Sequence, residues 1–79
     1  MYNKPFLTIE DLPVGTMLEL DRDYIDATFV IITEIEDDKW PVILTLYDVK
    51  QMVYFQENLG WLNNRIFEGT YNVVHKGTE

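Results

Sequence analysis

Carboxylates dominate any chemistry this sequence could do. Glu34, Glu36, Asp37 and Asp38 lie within five residues, and Asp21, Asp23 and Asp26 share the stretch "DRDYID". Acids this close together raise the question of a hard cation, since Ca²⁺ and Mg²⁺ take several oxygen ligands from one sharply turning loop. Asp21 and Asp23 match the D-x-D opening of a calcium loop, but the glycine and the terminal glutamate are missing. The consecutive acids Glu36, Asp37 and Asp38 point in different directions. No metal site is therefore expected, and Asp21, Asp23 and Asp26 are the nearest candidates. Paired carboxylates could hydrolyse a glycoside, but that needs a cleft able to hold a sugar, which a small barrel rarely offers. Nucleophilic catalysis needs a nucleophile, a base and an orienting group. The chain has no cysteine and no serine, and its one histidine, His75, sits close to the C-terminus. No glycine-rich phosphate loop is present. The expectation is a protein without catalytic residues or cofactor.

The acids gain interest from the aromatics beside them. Trp40 follows Asp37 and Asp38 almost directly, and Tyr47, Tyr54 and Trp61 come after it. Amphipathic rings of this kind suit the anchors of a protein interface, or a cage around a methylated amine. Glu36, Asp37, Asp38, Trp40, Tyr47, Tyr54 and Trp61 are the candidate partner-binding residues. The alternative for the rings is structural: Trp61 and Tyr71 in the core, Trp40 over the open end of a thin barrel.

The net charge of −8 sets the sign of the partner. Binding nucleic acid through its phosphates needs a basic face. The six Lys and Arg, at Lys4, Arg22, Lys39, Lys50, Arg65 and Lys76, are dispersed with no two adjacent. Direct nucleic-acid or anionic-membrane binding is not expected; a protein with a basic surface fits better. No stretch approaches the ~20 apolar residues that span a bilayer. The N-terminus lacks the apolar core of a signal peptide, so a cytoplasmic location is expected.

These residues need elements to position them. With 79 residues, one domain is expected over 1–79, with 1–9 and 75–79 peripheral or frayed. A chain this short has a thin core, and without disulfides its stability must come from packing. Period-2 alternation marks a strand in "TFVIITEI", with Phe29, Ile31, Thr33 and Ile35 on one face and Val30, Ile32, Glu34 and Glu36 on the other. "WPVILTLY" alternates likewise, so Asp37, Asp38 and Lys39 form a hairpin turn. Pro41 belongs at a strand start or an edge. "DLPVGTMLEL" enters an earlier strand, with Val14, Leu18 and Leu20 on one parity. The aromatic and β-branched content of "QMVYF" favours a fourth strand over the helical alternative across residues 47–56. Asn58–Asn64 reads as a loop or a single 3₁₀ turn, and "RIFEGTYNVV" as a closing strand with Phe67, Tyr71 and Val73 on one parity.

Five short strands with one helical turn before the last predict a mainly β protein, a small, strongly bent five-stranded antiparallel barrel. The features in "DLPVGTMLEL" (Asp11, Leu12, Val14, Gly15), the strand pair Thr28–Ile35 and Trp40–Tyr47, and the turn near Leu59–Leu62 resemble an SH3-like barrel of the Tudor or KOW type. That resemblance implies a binding module, while the acidity departs from the nucleic-acid-binding members. Fold alone does not give function. The expected function is a non-enzymatic acidic protein-binding module, of the general type of small viral inhibitors that dock on a basic surface of a host protein. Apolar residues on both parities of the central strands raise the alternative of a homo-oligomeric assembly protein. A row of carboxylates imitating phosphates, a DNA mimic, is a further alternative.

Overall fold

The computed structural model describes residues 6–20 and 28–77. Five strands and one helix follow in the order β1 (Met17–Leu20), β2 (Thr28–Glu36), β3 (Ile43–Asp48), β4 (Val53–Asn58), α1 (Leu59–Phe67) and β5 (Tyr71–His75). All neighbouring strands are antiparallel, in the sheet order β4-β3-β2-β1-β5. β4 and β5 are the two edges of this open sheet, and α1 packs against both. The architecture is the expected mainly β, barrel-like one. Residues 47–56, open to a strand or a helix by sequence, lie in β3, a turn and β4.

One face of the sheet holds the core. Leu18 and Leu20 of β1, Val30 and Ile32 of β2, and Leu44 and Leu46 of β3 are buried there with Leu59, Leu62 and Tyr71. Strict alternation along β2 would send Glu34 inward and Ile35 outward. A β-bulge between Ile32 and Glu34 prevents this, pairing Ile32 with Leu46 but Glu34 with Thr45 and Ile35 with Leu44. The extra residue, Thr33, donates its hydroxyl to the carbonyl of Thr45. Because a bulge shifts the parity of all that follows, Ile35 joins the core face and Glu34 faces solvent.

The helix corrects the sequence expectation of a loop or single turn at Asn58–Asn64. It has nine residues, and it takes Arg65, Ile66 and Phe67 from the expected closing strand, which starts only at Tyr71. Asn58 caps the N-terminus, its Oδ1 accepting from the Trp61 N–H at 2.7 Å. Gly69, at φ +89°, ends the helix, with the Gly69 N–H donating to the Ile66 carbonyl and the Thr70 N–H to the Arg65 carbonyl. This pair of bonds is a Schellman cap, which favours glycine at the left-handed position.

The chain ends are docked further out than expected. The sequence reads residues 1–9 as peripheral or frayed, yet Leu7 is fully buried. Asn63 of α1 explains this. Its Oδ1 accepts from the Leu7 N–H at 2.6 Å, and its Nδ2 donates to the carbonyls of Leu7 and Leu59. One amide side chain thus satisfies both main-chain groups of Leu7, as a neighbouring strand would. At the other end, the Gly77 N–H donates to the buried Thr16 hydroxyl. A Cβ on Gly77 would run into the carbonyl of Val14, so only glycine fits. The tail is thus pinned as far as Gly77. The turn "PVGT" closes with the Thr16 N–H on the Pro13 carbonyl and Gly15 at φ +95°. Val14 is turned outward by it, while Thr16, on the same parity as Leu18 and Leu20, is buried.

Candidate protein-binding surface

The seven candidate residues fall in three places. Glu36 ends β2, and Asp37, Asp38, Lys39 and Trp40 form the exposed tip between β2 and β3. β3 begins only at Ile43, so the connection is longer than the three-residue turn expected, and the Trp40–Pro41 peptide is cis. Trp40 is 85% exposed, the most exposed of the large apolar side chains described. It therefore does not cover an end of the barrel. Around it the charge is acidic, with Lys39 engaged at 3.8 Å by Glu36. Pairs this exposed contribute little to stability.

Trp61 has the opposite setting. It sits on α1 with its ring edge-on to Phe55 of β4 (6.4 Å between centroids) and to Tyr71 of β5 (5.6 Å). The Arg65 guanidinium lies over the Trp61 ring, 5.6 Å from its centroid. Arg65 is held in turn by Glu68, with Nε 2.9 Å from the carboxylate. Trp61 therefore joins the two edge strands through the helix. Its partly buried ring belongs to the architecture.

Tyr47 and Tyr54 form the third place. They are directly opposed on β3 and β4, with centroids 4.8 Å apart and planes tilted by 54°. Rings this close touch one another, so no cation fits between them. With Trp40 at the far end of β3 and Trp61 on the helix, the four rings do not assemble a cage. Tyr54 is 66% exposed, on the sheet face opposite the core.

Sequence reasoning missed the residues beside these tyrosines. The register places Met17 opposite Ile31, Ile31 opposite Tyr47, and Tyr47 opposite Tyr54. One apolar row thus crosses β1 to β4 on the outer face. Phe29 extends it to one side, paired with Glu19, and Glu34 bounds it on the other, paired with Thr45. The available signal was the run of apolar residues on both parities of β2, more than a one-sided core requires.

No protein-family model, curated protein or solved structure matches this chain. Among the described residues, no group of three His, Cys, Asp or Glu could hold a metal ion. Asp21, Asp23 and Asp26 lie outside the described residues. Among the described residues, no helix is long and apolar enough to cross a membrane.

Proposed function

We propose that this chain is a non-enzymatic acidic protein-binding module that docks on a basic surface of another protein through its β2–β3 tip. The observation that carries this reading is the exposure of Trp40 beside Glu36, Asp37 and Asp38. A tryptophan ring held in water is costly, and burying it in an interface removes about 150–250 Å² from solvent. Tryptophan is also among the residues that most often dominate binding energy. The neighbouring acids supply a steering field, which raises the rate of encounter with a basic face more than the final affinity. A small inhibitor that covers the basic face of a host factor would work in this way. The described acids are scattered over the N-terminal segment (Glu10, Asp11), the strands (Glu19, Glu34, Glu36, Asp48, Glu57), the tip (Asp37, Asp38) and the end of the helix (Glu68), which favours a local acidic tip over a phosphate-like row.

The test is affinity capture from the source cell with the wild-type chain, Trp40→Ala and the double variant Asp37→Asn/Asp38→Asn side by side. A protein retained by wild type, lost with Trp40→Ala and captured more slowly by the double variant is the expected result. A partner retained equally by Trp40→Ala would sink the reading. Binding that collapses steeply with salt while ignoring Trp40 would point to the DNA mimic.

A further inference from the structure

The outer face of the sheet carries a second surface, independent of the tip. We infer that the row Met17–Ile31–Tyr47–Tyr54 is a docking site for an amphipathic helix of a partner protein, with an apolar stripe flanked by Lys or Arg. Three observations support it together.

The first is the row itself. Its four members are direct cross-strand neighbours. At roughly 4.8 Å between strands, the row is about 14 Å long. It runs across the strands, and this direction selects the shape of the ligand. A helix laid along it presents side chains from successive turns every ~5.4 Å, close to the strand spacing. An extended chain presents same-side residues every ~6.6 Å and falls out of step. About three turns of helix cover the row.

The second is charge. On the outer-face parity of β1 to β4 the charged residues are Glu19, Glu34 and Glu36, and these strands contain no Lys or Arg. Glu19 borders the row on one side and Glu34 on the other. A ligand lying on the row therefore meets one carboxylate on each flank, and basic residues bordering an apolar stripe complement them. A second copy of this chain would bring acids against acids, which disfavours like-charged surfaces.

The third is the chemistry of the row. Tyr54 is two-thirds exposed, and its ring leans on Tyr47, which holds it in place without burying it. A rigid ring with a polar tip suits an interface anchor, because little side-chain freedom is lost on binding.

The test uses the full ¹⁵N-labelled chain at near-physiological salt and a synthetic helical peptide of about 14 residues, Leu at i, i+4, i+7 and i+11 with Lys on both flanks. Controls are a scrambled peptide of the same composition and one with Glu in place of Lys. Saturable binding of the first peptide alone is expected, with amide shifts centred on Met17, Ile31, Tyr47 and Tyr54. Tyr54→Ala should weaken it about tenfold or more, as loss of an anchor does, and Glu34→Lys should weaken it several-fold, while Trp40→Ala leaves it unchanged. Circular dichroism checks that each variant is folded. Equal binding of the scrambled peptide, shifts centred on residues 37–40, or indifference to Tyr54→Ala would overturn the assignment. So would light scattering that finds a dimer dissociated by Tyr54→Ala, since the row would then be covered by a second copy.

Discussion

The two tryptophans show how one residue type serves opposite ends in a single small chain. Trp61 is boxed by Phe55, Tyr71 and Arg65, and it joins both edges of the sheet through α1. Trp40 stands in solvent on an acidic tip. The difference lies in the segment each occupies. The helix turns Trp61 back onto the sheet, whereas the long connection after Glu36 carries Trp40 away from it. An aromatic is a stability element where two elements converge on it, and a free contact surface where none does.

The comparison is most severely tested by removing the inner ring. Trp61→Ala should lower stability by about 3 kcal/mol, the lower end of the range for large-to-small aromatic truncation because the ring is only partly buried. Guanidinium unfolding followed by circular dichroism measures this; a loss under about 1 kcal/mol would mean that the helix does not depend on the ring. Asn63→Ala should cost somewhat less, about 2 kcal/mol, because it strands the buried N–H of Leu7. The same titration reads it, and a neutral result would break the account of the docked N-terminal segment. Trp40→Ala should move the midpoint by less than about 0.5 kcal/mol, as surface changes usually do. A large destabilisation there would erase the contrast between the rings. Met52, at φ +61° in the β3–β4 turn and 73% exposed, allows a test of opposite sign. Met52→Gly should raise stability by about 0.5–1 kcal/mol by relieving the left-handed backbone of a non-glycine residue. Fluorescence sharpens the contrast without perturbing the fold: Trp61→Phe should leave a solvent-like, readily quenched emission, and Trp40→Phe a blue-shifted, protected one.

Much of the sheet was legible because alternation is a direct consequence of the pleat. β2 and β3 were marked by their residues, and so was the hairpin between them. The bulge at Thr33 was not, since the sequence "IITEI" fits an unbroken strand and only the pairing with Thr45 and Leu44 shows the extra residue. The helix was masked by its own buried stripe. Leu59, Leu62, Asn63 and Ile66 have helical spacing, but Asn63 breaks the apolar pattern because its amide works on Leu7. Asn58 and Gly69 were the signals that bracket it. As for the site, the acidic tip was placed correctly at the hairpin. The fates of Trp40 and Trp61 were not legible, because composition is the same for a packed ring and an exposed one. Register alone brought Met17 and Ile31 beside Tyr47 and Tyr54.

The grip of Asn63 on Leu7 acts on main-chain atoms, and it has a consequence for the whole N-terminal segment. The domain holds that segment as it would hold a bound peptide, by backbone bonds and by the two leucines, Leu7 and Leu12, sunk into the core. The stretch from Phe6 to Pro13 is in effect a ligand that the protein carries with it. Its occupancy rests on the high effective concentration that the covalent link provides. Severed from the sheet, it would have to compete at its bulk concentration, and the core would open wherever it let go.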